Sequence, residues 1–295
     1  MMNAMTNYAR GLCAALLVAS LAACSSDDDK GGGSGGKGTV TFTTFGEDYI
    51  EEQIPAEKFA DLWTIRYKKF LVVFRDIRVA RKGSAPVAQM AGSKLFDMTR
   101  PGQKFIVQFP NVPANAYDHV SYEIGPIAED TVIEGPATDA DRAIMLAGGY
   151  SVYVDAEATK GSVTKKYTWG FKTRTLYDEC KGSVAGKEVE GVNVTNGGSD
   201  APDLTIHGDH LYYDDLQDKE AKLRFDHIAG ADKNNDGTVT LEELSAVKLV
   251  DIPKTEGPYR TGSAAGINDL AAFVTALSRT VGHYRGEGEC FSKER

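Results

Sequence analysis

Short segments in which apolar and polar residues alternate follow one another through the middle of the chain. Alternation with a period of two predicts strands that bury one face, and turn sequences such as Pro101-Gly102 and Gly148-Gly149 separate the segments. Many short strands with few helices favour an antiparallel β-sandwich, which we expect over residues 39–213. The predicted strands are 40–43, 63–67, 70–79, 105–109, 119–124, 150–154 and 166–171.

The pattern changes to a helical period after residue 213. Ala221, Phe225 and Ile228 recur at the spacing of an amphipathic helix. The predicted helices are 218–229, 241–247 and one that begins after a cap at Asn268 or Asp269, with two shorter ones at 50–59 and 138–146. The sequence therefore predicts a mainly β fold that is followed by a C-terminal helical domain, residues 214–295.

The first 23 residues have the form of a bacterial export signal. Arg10 supplies a positive charge, and the apolar run over residues 12–23 is shorter than the roughly 20 residues that a membrane-spanning helix needs. The run ends Leu-Ala-Ala-Cys24, which is similar to the lipobox of bacterial lipoproteins. That resemblance implies cleavage before Cys24, acylation of Cys24 and membrane anchoring through the lipid. The alternative is an ordinary secretory signal that happens to end at a cysteine.

Residues 24–38 form a predicted flexible tether, because Asp, Ser and Gly residues offer nothing apolar to bury. Ser25 follows the acylated cysteine, which in the best-known lipoprotein sorting systems implies the outer membrane. We therefore expect a cell-envelope protein that faces the periplasm or the surface. Its β-sandwich would bind a protein or surface partner that the sequence does not identify.

Charge and motifs narrow the class of function. The net charge of -9 argues against binding to nucleic acid, since no basic stripe could face phosphates. The sequence contains no nucleophile elbow, phosphate-binding loop, HExxH zinc motif or dinucleotide fingerprint. These observations favour a non-catalytic protein, with a hydrolase assembled from dispersed residues as the remaining alternative.

The cysteines predict one disulfide. Of the four, Cys13 leaves with the signal peptide and Cys24 takes the lipid, so Cys180 and Cys290 remain. An even pair in an oxidising compartment favours a disulfide. Thiolate metal ligation is the competing interpretation, although neither cysteine has a neighbouring C-x-x-C spacing.

Residues 232–243 match the calcium-binding loop of the EF-hand. Calcium prefers six to eight oxygen ligands, and a loop of this pattern supplies them from alternate positions. The predicted ligands are the side chains of Asp232, Asn234 and Asp236, the carbonyl of Thr238, a water held by Thr240, and both carboxylate oxygens of Glu243. The alternative, a turn rich in Asp and Gly, does not require Gly, an apolar residue and Glu at these offsets.

The eighth position of such a loop pairs with a partner strand. Val239 occupies that position, and residues 260–271 align with the loop so that Ile267 lies opposite it. The aligned segment lacks the carboxylates that would bind metal. We predict a degenerate second hand that pairs structurally, with a plain loop as the alternative.

Three histidines suggest a second metal site. His207 and His210 lie in the sequence His-Gly-Asp-His, and His283 precedes Cys290 by seven residues. Imidazole suits copper, zinc and nickel. On one continuous strand the first two would point to opposite faces, so they converge only if the chain turns at Gly208. The alternative is that these side chains form local hydrogen bonds or caps.

The C-terminal motifs resemble a known group of proteins. The His-Gly-Asp-His sequence, the segment Leu-Arg-Phe-Asp-His-Ile-Ala and the calcium loop, together with the ending Gly-His-Tyr-Arg-Gly-Glu-Gly-Glu-Cys, resemble EF-hand lipoproteins typical of myxobacteria. The resemblance covers about the last 90 residues. It implies an architecture and no activity.

A weaker resemblance concerns the β region. The strand motifs at 70–79, 95–97, 120–125 and 149–150 are similar to the β-sandwich of methanobactin-associated, copper-linked periplasmic proteins. That resemblance implies copper as a ligand. The copper-handling residues of that family do not align residue by residue with this sequence.

Overall fold

Two β-sheets contain most of the strands in residues 35–295, the part of the chain that the computed structural model describes. The predicted signal peptide, Cys24 and most of the tether lie outside these residues. Gly35–Arg295 forms one compact unit, and the predicted boundary between residues 213 and 214 falls within it. No helix of this unit is both long and apolar enough to cross a membrane.

The strands are β1 Lys37–Gly46, β2 Thr64–Ala80, β3 Ala88–Gln89, β4 Ser93–Asp97, β5 Lys104–Pro113, β6 Asn115–Tyr117, β7 His119–Ile124, β8 Val132–Ile133, β9 Val152–Lys160, β10 Val163–Phe171, β11 Thr175–Asp178, β12 Lys181–Val184, β13 Lys187–Glu190, β14 Val192–Val194, β15 Ser199–Asp200, β16 Asp203–Ile206, β17 Gly282–Tyr284 and β18 Phe291–Glu294. The α-helices are α1 Asp48–Glu51, α2 Asp139–Gly148, α3 Asp226–Ala229, α4 Leu241–Ala246 and α5 Leu270–Leu277. The 3₁₀ turns are Ala56–Lys58, Asp209–Tyr212, Leu249–Asp251 and Lys254–Glu256.

The first sheet has the order β15-β1-β16-β17, with β5 on the other side of β1. β1 is parallel to β15 and β16 and antiparallel to β5, so this sheet is mixed, whereas the sequence pattern predicts antiparallel strands throughout. The whole second sheet except β18 lies between β1 and β16 in sequence, which gives the long connection that parallel pairing requires. Alternation of apolar residues carries no information about strand direction.

The second sheet has the order β10-β9-β2-β7-β11-β18, and β2 is its longest strand. This strand joins the two separate strands predicted at 63–67 and 70–79. A bulge between Tyr67 and Lys69 shifts its register against β9, and a second one between Arg75 and Arg78 shifts its register against β7. Each bulge shifts by one residue the positions that face the main core, which change from Ile65 and Tyr67 to Phe70, Val72 and Phe74 and then to Ile77 and Val79, and this breaks the alternation in the sequence.

A single large hydrophobic core takes side chains from both sheets and from the C-terminal helices. Phe42 of β1, Phe70 of β2, Trp169 of β10 and Phe273 of α5 all belong to it and are fully buried. A smaller cluster on the other face of β2 packs beneath α2. Strands thus supply most of the buried side chains, and the predicted mainly β fold is confirmed.

The C-terminal region contains less helix than the sequence predicts. Only Asp226–Ala229 of the predicted helix 218–229 is helical, because Leu223 forms β-bridges with Phe59 and Tyr213 instead. The chain then returns to the sheets, with β17 beside β16 and β18 beside β11. Cys180 and Cys290 are joined, with their sulfur atoms 2.06 Å apart, close to where β17 and β18 meet the sheets.

Candidate metal centres

Three separate elements bring His207, His210 and His283 together. His207 directly follows β16, His210 lies in the turn Asp209–Tyr212, and His283 lies in β17, which pairs antiparallel with β16. The chain turns at Gly208, where an added Cβ would lie 2.6 Å from Cγ1 of Ile50. A glycine is therefore needed for the turn that brings His210 to the side of His207.

The imidazole rings form a close cluster. The ring centroids are 4.0 Å apart for His207 and His283, 4.8 Å for His210 and His283, and 5.6 Å for His207 and His210. One nitrogen from each ring lies within 4.8 Å of the others. His207 and His283 are stacked with their planes 26° apart, while His210 is edge-on to both. Since a metal binds in the plane of each ring, a shared ion requires one stacked ring to rotate.

Burial keeps His207 and His210 neutral. Burial and repulsion from His283 and His210 lower the pKa of His207 to about 3, and burial and repulsion from His283 lower the pKa of His210 to about 3. A neutral imidazole has a lone pair available for a metal ion. Nε2 of His207 and Nδ1 of His283 are buried without a hydrogen-bond partner. Such orphaned atoms are rare in folded proteins, and a bound ion would satisfy them.

Thr280 and Glu47 approach the histidines from outside the cluster. Nδ1 of His210 lies 3.0 Å from Oγ1 of Thr280, and Nδ1 of His207 lies 3.5 Å from Oε2 of Glu47. A hydrogen-bond partner such as Thr280 fixes the orientation of a metal-binding imidazole and selects its tautomer. The arrangement leaves the opposite nitrogen of each of these two rings free for an ion.

Two carboxylates lie beside His207. Glu47 accepts a hydrogen bond from the backbone N–H of Gly208 at 2.8 Å, and Asp209 accepts one from the Tyr213 hydroxyl at 3.0 Å. Burial, together with the charge of Asp209, raises the pKa of Glu47 to about 9. Sequence reasoning missed Glu47, because it lies just after β1, far from the histidines in the chain.

Solvent reaches the cluster from two sides. One cavity of about 500 Å³ is lined by Glu47, His207, Asp209 and His210 among others. A second of about 480 Å³ is lined by residues that include His210, His283, Glu287 and Glu289. Both openings are acidic and lead to imidazole nitrogens, so a cation can enter without unfolding the chain.

The predicted calcium loop is a compact turn. Gly237, at its centre, has a φ of 83°, a conformation that glycine adopts readily. The Asp232 carboxylate accepts hydrogen bonds from the N–H of Asp236 and of Gly237 at 3.2 and 3.0 Å. Lys165 of β10 places its ammonium 2.5 Å from the same carboxylate, and this hydrogen bond lowers the pKa of Asp232.

The last predicted calcium ligand lies at a helix terminus. Thr240 caps α4, and Oε2 of Glu243 accepts hydrogen bonds from the Thr240 N–H and hydroxyl at 2.9 and 3.0 Å. Within residues 35–295, two groups of three His, Asp or Glu residues have ligand atoms that all lie within 4.8 Å of one another. Both groups contain His207. No calcium-loop residue belongs to them, so Asp232, Asp236 and Glu243 do not all lie within reach of one ion.

Val239 pairs with β10 and not with the predicted partner near Ile267. The N–H of Val239 donates to the carbonyl of Lys166, and the N–H of Lys166 donates to the carbonyl of Gly237, both at 2.8 Å. The indole N–H of Trp169 donates to the Val239 carbonyl at 2.9 Å. The segment that contains Ile267 instead forms a bridge between Lys248 and Asp269. The edge of the second sheet therefore replaces the degenerate second hand as the partner of the loop.

A histidine–carboxylate pair of the kind that a hydrolase needs lies elsewhere. Nε2 of His119 is 2.5 Å from Oδ1 of Asp178, and Ser121 lines the same cavity of about 200 Å³. Among the described residues, no hydrogen bond joins the Ser121 hydroxyl to His119. The pair therefore lacks the nucleophile contact of a triad.

Comparison with models of protein families, with curated proteins and with solved structures gives no match to this chain.

Proposed function

We propose that this protein binds a transition metal ion at His207, His210 and His283. The observation that supports the proposal most strongly is the convergence of three imidazoles from separate elements, two of them with an orphaned nitrogen. Imidazole donors suit copper and zinc. Three protein ligands leave at least one coordination position open, through which an ion can be passed to or received from a partner. We propose this binding role without catalysis.

The test compares histidine variants of the calcium-saturated protein. We expect wild-type protein to retain zinc or copper after dialysis, and His210→Gln/His283→Gln to lose the ion that these residues hold. The matched control is His119→Gln/His227→Gln, which removes the other two histidines and should leave ion content unchanged. Melting curves establish that each variant folds. Equal ion content in wild type and in the His210→Gln/His283→Gln variant would exclude the centre.

Calcium binding at residues 232–243 is a second proposed function. It is supported by the compact loop around Gly237, the buried Asp232 and the tight pairing of the loop with β10. Calcium would draw Glu243 and α4 towards a loop that already lies on the edge of the second sheet. We propose that the ion stabilises this attachment, in a protein anchored by a lipid on Cys24 to the outer membrane.

Lys165 provides a specific test of the calcium proposal. Its ammonium competes with calcium for Asp232, so Lys165→Gln should bind calcium roughly five- to tenfold more tightly, because the ion no longer has to displace a cation from its first ligand. The control is Lys166→Gln, whose backbone pairs with the loop and whose side chain forms no ion pair with it. Calorimetric titration measures both. If calcium addition gives no heat of binding and does not change the melting temperature of wild type or of either variant, the calcium proposal fails.

A further inference from the structure

We propose that Glu47, Asp209 and Nδ1 of His207 form a second metal site, so that the ring of His207 lies between two ions. The proposal rests on the proposed function, because both sites share His207. It adds a second ion and a different ligand set, in which two carboxylates accompany one imidazole.

The ligand atoms of the second site are already close together. One atom each from Glu47, His207 and Asp209 lies within 4.8 Å of the other two. His207 Nδ1 is 3.5 Å from Oε2 of Glu47, which is longer than a good hydrogen bond and leaves the pair without a short contact. Small movements of two side chains would bring these atoms to the distances of metal ligands.

An orphaned oxygen points to a missing ligand. Asp209 is only 8% exposed, and while its Oδ2 accepts from Tyr213, its Oδ1 is buried without a partner. A buried carboxylate oxygen without a donor is costly unless a cation or a proton satisfies it. Glu47 is also largely enclosed, and no Lys or Arg forms an ion pair with either carboxylate among the described residues.

The two nitrogens of one imidazole point in different directions, which separates the sites. Nδ1 of His207 faces Glu47, whereas Nε2 is the orphaned atom on the other side of the ring. A ring that binds an ion through each nitrogen has released its N–H proton to solvent, so loading both sites releases that proton. One imidazole with two carboxylates suits zinc, which accepts both nitrogen and oxygen ligands.

The competing interpretation is that both carboxylates only orient His207 for the three-histidine centre. The two interpretations differ in the number of ions bound. Orientation alone gives one ion per chain, and removal of a carboxylate weakens that ion. Two sites give two ions, and removal of the carboxylates leaves one.

Zinc content after equilibrium dialysis of the calcium-saturated full chain is the deciding measurement. We expect two zinc ions in wild type, one in Glu47→Gln/Asp209→Asn and one in His210→Gln/His283→Gln. The carboxylate substitutions preserve side-chain shape, and melting curves identify any variant that does not fold. The matched control is Glu51→Gln, which neutralises a carboxylate in the short helix after β1 but outside the cluster, and it should retain both ions.

The outcomes separate this proposal from the proposed function. One zinc in wild type that persists in Glu47→Gln/Asp209→Asn overturns the second site and leaves the three-histidine centre intact. If Glu47→Gln/Asp209→Asn loses one ion and His210→Gln/His283→Gln loses none, the second site is supported and the three-histidine centre is overturned. Absence of zinc from every variant and from wild type overturns both.

Discussion

His207 and His210 are buried beside a third imidazole, and neither has an anionic partner strong enough to offset burial. Their pKa values therefore lie near 3, well below that of a solvated histidine. The same burial that keeps these rings neutral makes the folded protein sensitive to acid. A site of this kind keeps its ligands neutral at the expense of stability at low pH.

Acid should destabilise the metal-free protein between about pH 6.5 and about pH 3. In this window the unfolded chain protonates both histidines while the folded chain leaves them neutral, which outweighs the single proton that Glu47 holds only in the folded state, so the unfolded state binds more protons and stability falls as pH falls. Each histidine contributes a slope of up to about 1.4 kcal/mol per pH unit. Urea unfolding at several pH values measures the slope, which should flatten in His210→Gln. An unchanged slope in that variant would contradict the assignment.

At the scale of elements, the C-terminal strands hold the histidine cluster in place. His283 lies in β17, and the following turn is fixed by Arg285, which forms a salt bridge of 2.7 Å with Asp200. The disulfide between Cys180 and Cys290 then ties the end of this turn to the segment that follows β11. The position of His283 therefore depends on links that span 110 residues of sequence.

Removing the disulfide should destabilise the protein. Closing a loop of this length contributes about 3–5 kcal/mol to the free energy of unfolding on the chain-entropy model. Urea unfolding of Cys180→Ser/Cys290→Ser, compared with wild type, measures this loss. A difference below about 1 kcal/mol would mean that the disulfide adds little to the contacts of β17 and β18.

At the scale of the whole molecule, the first described strand begins at Lys37, thirteen residues after the predicted lipid site at Cys24. The candidate metal ligands lie at the ends of β1 and β16 and in β17 of one sheet, and the calcium loop lies on β10 of the other. The folded unit thus holds all the candidate ion sites, while the predicted anchor lies outside the described residues.

Replacing Cys24 tests the anchor. In a bacterial host, wild type should incorporate labelled fatty acid and fractionate with membranes, whereas Cys24→Ala should do neither. Cys13→Ala is the control, because that residue lies within the predicted signal peptide. An ordinary secretory signal gives the same fractionation for all three proteins, and that result would rule out the lipid anchor.

Local patterns predicted the mainly β fold and several element positions. Thr138 caps α2 and Asp269 caps α5, close to where the apolar spacing and capping residues indicate helix starts. The helix expected at 218–229 is mostly absent, because Leu223 gains two β-bridges that a local pattern cannot encode. Strand direction in the first sheet was also missed, since it depends on which distant strands meet.

The sequence alone determined what each chemical group is able to do. The oxygen ligands at alternate positions of residues 232–243 and the imidazoles of His207, His210 and His283 are properties of composition and spacing. Only the tertiary structure decided which groups meet, because pairing of β16 with β17 brings His283 to His207, and the end of β1 adds Glu47. It also assigned Val239 to β10, since a backbone hydrogen bond depends on the nearest available strand and not on sequence similarity.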